Sequence, residues 1–228
     1  MTAVIEIGTH SVKCLRDGRD AVMITRLGNP ITGADRTLRA VKRFLRAGPA
    51  VIVGTHALRA APNRRAVLRR WGLDVWVLSE DEEARFSHAG AVSRLGRGPF
   101  VTVDVGGGST EIVGPRFRRS FPFGAATLRV EPSFPKLPRG RWVAVGGTAV
   151  TLAAMCGKFR LRRAELGAWL RRIEPMTVAQ RCRIRGMDRG RADIMPAGLR
   201  ILQAAISTPT FLVSTRGVRH GVALSLGK

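Results

Sequence analysis

Acidic residues are scarce in this 228-residue chain: 16 Asp and Glu stand against 39 Lys and Arg, a formal net charge of +23. That balance excludes an acidic surface and implies salt-dependent attraction to polyanions, although a diffuse solvated shell would carry the same count. Lysine is scarcer still. With only Lys13, Lys42, Lys136, Lys158 and Lys228, the charge rests on 34 arginines, whose planar fork fits phosphate oxygens bidentately. Cysteine is limited to Cys14, Cys156 and Cys182, an odd and widely spaced set without histidines at metal-ligand spacing. A disulfide framework and a zinc site are thereby excluded, and a reducing cytoplasm is the expected setting. Long apolar runs are also missing. The most apolar stretch, Trp142 to Cys156, is short and glycine-rich, and Glu6 interrupts the N-terminus before a signal peptide could form, so no membrane insertion is expected. What remains is an ordinary globular composition, 45% hydrophobic and 24% charged, long enough for one large domain or two small ones.

Periodicity and punctuation predict alternating strands and helices. Ala3 to Ile7, Val12 to Leu15 and Ala21 to Thr25 read as antiparallel strands around the turn Asp17-Gly18-Arg19-Asp20. Asp35 is expected to cap a helix running to Ala47, with Leu38, Val41, Phe44 and Leu45 on one face and five basic residues on the other. A strand at Val51 to Val53, a helix over His56 to Trp71, a strand at Val75 to Leu78 and a helix over Glu80 to Leu95 follow. The acidic start of that last helix, Glu80-Asp81-Glu82-Glu83, suits the positive end of a helix dipole. Further strands are expected at Phe100 to Val105, Arg118 to Pro122, Trp142 to Val145 and Phe211 to Ser214, with mainly helix between Thr148 and Ser207 and a last helix over Val218 to Leu226. This is an α/β order with a mostly parallel sheet and crossover helices.

One segment concentrates chemistry. Val103-Asp104-Val105-Gly106-Gly107-Gly108-Ser109-Thr110-Glu111 delivers a carboxylate at a strand end, opens a bare-backbone turn and returns a second carboxylate. Glycines let successive N–H groups approach anionic oxygens, Ser109 and Thr110 add hydroxyls, and paired acids suit a metal ion or an attacking water. The same glycines would also serve a plain hairpin with a glycine bulge. Gly8 to Ser11, with Thr9 between, and Gly146-Gly147-Thr148 repeat the plan, each leaving the carboxyl end of a strand with small or hydroxyl residues.

Taken in order, these segments resemble the exopolyphosphatase and guanosine pentaphosphate phosphatase family (Ppx/GppA), within the superfamily of the actin-like fold. Ile5 to Val12 resembles the first phosphate loop of that family, Asp104 to Glu111 the second, and Val145 to Thr148 its later glycine motif. Thr55 to Arg59 with Asn63, Asp81 to Arg85, Arg191 to Ile194 and Arg216 to Arg219 resemble its other signatures. The resemblance implies two actin-like (ribonuclease H-like) α/β lobes with an active-site cleft between them, the first over residues 1–79 joined by 216–228, the second over 80–215. It implies hydrolysis of a terminal phosphoanhydride, on inorganic polyphosphate or on pppGpp, with Mg²⁺ or another divalent cation. By position Glu83 matches the general base, ahead of Glu82, and Arg59 the phosphate-contacting arginine. Asp104 and Glu111 match the pair associated with metal and water, with Glu6 as a third acid near the metal. Gly8, Thr9, Ser11, Gly106, Gly107, Gly108, Ser109, Gly146, Gly147 and Thr148 match the phosphate-binding loops. The chain departs from the family pattern at Glu6, where Asp is usual, at Thr9-His10, and at Thr215 and His220. His10 is expected as a neutral loop donor or an exposed side chain. A second expectation therefore stands beside hydrolysis: capture of polyphosphate or another polyanion with little turnover. A homodimer is compatible with the sequence and is not specified by it.

Overall fold

The computed structural model describes residues 2–28 and 30–227; Met1, Asn29 and Lys228, the last residue of the expected C-terminal segment, lie outside the described residues. The chain forms two compact units, Met1–Gly90 with Val218–Lys228, and Ala91–Gly217. Among the described residues no helix is long and apolar enough to cross a membrane.

In the first unit β1 (Val4–Ile7) pairs antiparallel with β2 (Ser11–Arg16), and β2 with β3 (Arg19–Ile24). On its other side β1 runs parallel to β4 (Val51–Gly54), which runs parallel to β5 (Trp76–Val77). The β2–β3 turn is fixed by Asp17 and Gly18, whose φ values of 49° and 74° are the paired left-handed conformations of a type I′ hairpin. Strand alternation then divides the layers. Ile5 and Ile7 are buried with Ala40 and Val41 of α1 (Ala34–Leu45), whereas Val4 shares a cluster with Val218 and Val222 of α9 (Val218–Leu226). Glu6, two residues from Val4, lies on the α9 face.

The second unit repeats the plan. Here β6 (Phe100–Val105), β7 (Thr110–Gly114) and β8 (Phe117–Phe121) form the antiparallel meander, and β6 runs parallel to β9 (Arg141–Val145). Beyond β9 lie β11 (Thr210–Val213), parallel, and β10 (Arg160–Arg162), antiparallel to β11. Val101, Val103 and Val105 enter a core with Leu152 of α5 (Gly146–Cys156), Leu166 of α6 (Arg163–Ile173) and Leu199 of α8 (Met195–Ala205). Both sheets thus place a meander beside a parallel strand. The two opening hairpins even share a pattern, Ile5-Glu6-Ile7-Gly8 to Ser11 and Val103-Asp104-Val105-Gly106 to Ser109.

Three local expectations are corrected. The helix expected over His56 to Trp71 is two, α2 (His56–Ala60) and α3 (Arg64–Trp71), because Pro62 holds Ala61 in an extended conformation (φ −71°, ψ 128°) that ends the first. Asp35 does not cap α1; Gly33 occupies the cap, and Asp35 sits in the first turn, where it pairs with Arg70. The three-residue β10 was expected to be helical, and pairing with β11 decides its conformation. Tight helix contacts explain some glycines. A Cβ at Gly221 of α9 would collide with the carbonyl group of Phe86 in α4 (Glu80–Val92). Gly221→Ala is therefore expected to lower stability by about 1–3 kcal/mol, read as a lower urea midpoint at unchanged slope.

Candidate active site

The Gly106–Ser109 turn is held from behind by the segment that follows β8. Ala125 N donates to Gly106 O (2.9 Å), Ala126 N to Gly107 O (2.8 Å) and Thr127 Oγ1 to Gly108 O (3.2 Å). Gly106 N closes the turn on Ser109 O (3.0 Å). Among the described residues the N–H groups of Gly107, Gly108 and Ser109 have no protein acceptor, so three donors are left for an anion. Gly124 makes this backing possible, since a Cβ there would lie 2.6 Å from the carbonyl carbon of Gly107. The segment from Phe123 to Thr127 carried no signal in the sequence beyond its small residues. The Thr110 hydroxyl, expected as a phosphate donor, is bonded to Phe123 O (2.8 Å).

Strand register places the two acids of this loop opposite each other. Asp104 of β6 faces Glu111 of β7, Glu111 faces Ser120 of β8, and Asp104 faces Val145 at the end of β9. Directly opposed residues share one face of a sheet, their Cβ atoms about 5 Å apart. Glu111 is buried and accepts from Ser120 Oγ (3.1 Å). The Asp104 carboxylate lies against Gly146 at the start of α5, where a Cβ would come within 2.7 Å of Asp104 Oδ1 and where φ is +88°. Gly147 faces a residue that motif reading left without a role: its Cβ position is filled by the guanidinium of Arg191, a buried side chain oriented by Asp188 (3.2 Å). Thr148, expected at the phosphate, is buried with its side chain against Gly198 of α8.

Among the described residues no three Asp, Glu, His or Cys side chains form a metal-binding group. Two opposed carboxylates nevertheless fit Mg²⁺, which commonly takes one or two protein carboxylates and completes its shell with water and substrate phosphate.

The first unit supplies a different set. Arg59 Nη1 donates to Glu83 Oε2 (2.7 Å) and to Leu78 O (2.9 Å), while Arg59 Nη2 is buried without an acceptor. Glu82 and Glu83 have different local partners. Glu82 accepts from Ser79 N and Ser79 Oγ (both 2.8 Å) in a capping box at the start of α4, which leaves the buried Glu83 to meet Arg59. The Gly8–Ser11 turn is built like its counterpart: Gly8 N closes on Ser11 O (3.0 Å), and the carbonyls of Thr9 and His10 accept from Leu27, Thr25 and Arg26. Thr9, His10 and Ser11 are all buried, so His10 is not the exposed side chain the sequence allowed.

Glu6, expected near the metal, is engaged by cations. Its cross-strand neighbour is Lys13, where Asp104 has Glu111, and Lys13 Nζ lies 2.6 Å from Glu6 Oε1. Arg219 of α9 stands 3.7 Å from Glu6 Oε2 and bonds Asp20 Oδ1 at 2.6 Å, with His220 Nε2 3.3 Å from Asp20 Oδ2. Burial by itself would raise the Glu6 pKa, but Lys13 and then Arg219 outweigh it and the net value falls. Burial opposes Asp20 as well, and hydrogen bonds from His220 and Arg219 bring it far below the ordinary range. Carboxylates depressed in the fold contribute stability that is whole above about pH 4 and is lost as pH falls through the depressed values. Asp20→Asn should therefore cost about 1–3 kcal/mol at pH 7 and flatten the loss of stability between pH 4 and 2. Equilibrium unfolding against pH checks both, and an unchanged acid slope would contradict the network.

Known proteins share sequence and fold with this chain. The profile of the Ppx/GppA phosphatase family matches residues 36–131. Exopolyphosphatase 2 of Mycobacterium tuberculosis is 30% identical over 201 residues, 66% of this chain and 63% of that protein. An uncharacterised protein of Streptomyces coelicolor is 30% identical over 225 residues, 77% of this chain and 66% of its own length. The chain thus spans just under two thirds of the length of the curated relatives it matches. Among solved structures, an exopolyphosphatase from Cytophaga hutchinsonii superposes with a TM-score of 0.81 at 19% identity, covering 99% of this chain and 97% of that one. The Aquifex aeolicus Ppx/GppA protein superposes with a TM-score of 0.74 at 23% identity, over 99% and 97%. In its two α/β units and in the order of its glycine loops, the chain is similar to the Ppx/GppA phosphatase family.

Proposed function

We propose that the protein hydrolyses the terminal phosphoanhydride of inorganic polyphosphate, releasing orthophosphate, and that pppGpp is a second substrate for the same chemistry. The observation that carries this reading is the opposed pair Asp104 and Glu111 beside a turn with three unused N–H donors. A terminal phosphoryl group needs donors for its equatorial oxygens, a cation for its charge and a base for the attacking water. Gly107, Gly108 and Ser109 supply N–H groups, and Arg59 Nη2 supplies a further buried donor. Asp104 and Glu111 would hold a divalent cation, which when bound neutralises phosphate oxygens. Glu83 accepts the proton of water as its oxygen bonds to phosphorus, and the bridging oxygen leaves with its electron pair on the shortened chain. In this reading Glu6 orders the first loop through Lys13 and Arg219. The free thiols of Cys14, Cys156 and Cys182 suit a cytoplasmic setting. The +23 charge favours a long polyanion over a single nucleotide as the main substrate.

Purified protein with Mg²⁺ should release orthophosphate from polyphosphate, and Glu83→Gln should slow release by roughly 10²–10⁴-fold while polyphosphate binding persists. Binding by wild type with no Mg²⁺-dependent release would favour polyanion capture instead, the reading that the charge alone supports.

A further inference from the structure

A pocket of about 450 Å³ lies wholly within the Ala91–Gly217 unit and contains none of the residues assigned to phosphate transfer. It opens at the carboxyl end of α5, whereas the glycine motif and Asp104 are at the amino end. Eleven helical residues separate the two ends by about 16 Å. The floor is apolar and adaptable, formed by Met155, Trp169, Met176 and Ile184. The rim carries Arg172, Arg183 and Arg185, and no acidic residue lines the cavity.

Several arginines of the unit are engaged by partners. Elsewhere in the unit Arg200 pairs with Glu174 and Glu131, Arg191 with Asp188, and Arg163 and Arg181 bond backbone carbonyls. Among the described residues the guanidinium groups of Arg172, Arg183 and Arg185 have no hydrogen bond or ion pair; Arg172 instead lies over the Trp169 ring at 4.8 Å. The wall that carries Arg183 to Arg185 is fixed in place. Arg181 clamps its helix, α7 (Val178–Arg181), to Ile173 O (2.8 Å), Glu174 O (3.1 Å) and Ala192 O (3.2 Å). Gly186, at φ +83°, presses against the Ala154 carbonyl so closely that a Cβ would sit 2.5 Å from it. An indole with a stacked guanidinium, two thioethers and two further unpaired guanidinium groups match a planar aromatic ring that carries several negative charges.

We propose that this pocket binds a nucleoside polyphosphate, its base against Trp169 and the methionines and its phosphates on Arg183 and Arg185. The site is independent of the hydrolytic reading, and its volume lies within the usual range for small-ligand pockets. Because the phosphate loops would also attract phosphates, the test separates the two by variant and by probe. In calorimetric titrations of the full chain, ATP, adenosine and inorganic tripolyphosphate are compared on wild type, Arg183→Ala/Arg185→Ala, Trp169→Ala and Asp104→Asn. The double arginine variant should weaken ATP binding at least tenfold, about 1.4 kcal/mol, and leave orthophosphate release from polyphosphate unchanged. Trp169→Ala should weaken ATP but not tripolyphosphate, and Asp104→Asn should leave the ATP affinity of this site intact. ATP binding that is indifferent to both the arginine and tryptophan changes would overturn the proposal. So would arginine variants that weaken tripolyphosphate and ATP equally while Trp169→Ala has no effect, since that is a surface reading charge alone. Circular dichroism and urea midpoints of each variant identify any loss caused by unfolding, and Arg183→Lys/Arg185→Lys should restore part of the affinity if the variant fold is sound.

Discussion

The carbonyl oxygens of Gly106, Gly107 and Gly108 are all taken by donors from the segment after β8, and the direction of the loop's N–H groups depends on that arrangement. A peptide group whose oxygen is fixed has its N–H fixed as well, on the opposite side. Backing the turn through its carbonyls therefore aims a row of donors outward without any charged side chain. The backing tolerates no side chain at Gly124, where a Cβ would meet the backbone of Gly106, Gly107 and Gly108. The same device recurs in the first unit, where residues 25–27 hold the carbonyls of Thr9 and His10. Two loops of similar sequence are thus made rigid in the same manner.

Where the loops differ is the sign of the charge beside them. In each hairpin an acid at the end of the first strand faces one residue across the ladder: Glu6 faces Lys13, and Asp104 faces Glu111. The first pair neutralises itself and is extended by Arg219 and Asp20 into a network that anchors α9 to the sheet. The second sets two carboxylates at one cross-strand position, a pairing that suits a bound cation. The two units thus carry an acid–base pair and an acid–acid pair at the same register position.

Much of this was legible in the sequence because it is local. The strand-glycine-serine segments and the short apolar run from Ala3 to Ile7 depend on residues a few positions apart. So does the capping box from Ser79 to Glu82, which engages Glu82 and leaves Glu83 to pair with Arg59. Apolar spacing over residues 56–71 masked the break at Pro62, although the restriction that proline places on Ala61 was available to be read. What could not be read is long-range. Arg219 meets Asp20 across 199 positions, Arg191 fills the space above Gly147, and Gly124 supports a turn 16 residues earlier; no periodicity carries such contacts. Thr110 and Thr148 fit their motif positions, yet their side chains are occupied by neighbouring backbone and helix.

The role given to the acidic pair is tested most directly by Glu111→Lys, which writes the Glu6–Lys13 arrangement into the second hairpin. Mg²⁺-dependent release of orthophosphate from polyphosphate should fall to background in this variant, while the fold and the binding of polyphosphate persist, because the loop donors are untouched and the added charge is positive. Retention of Mg²⁺-dependent turnover by a folded Glu111→Lys protein would contradict a metal and water site built on Asp104 and Glu111.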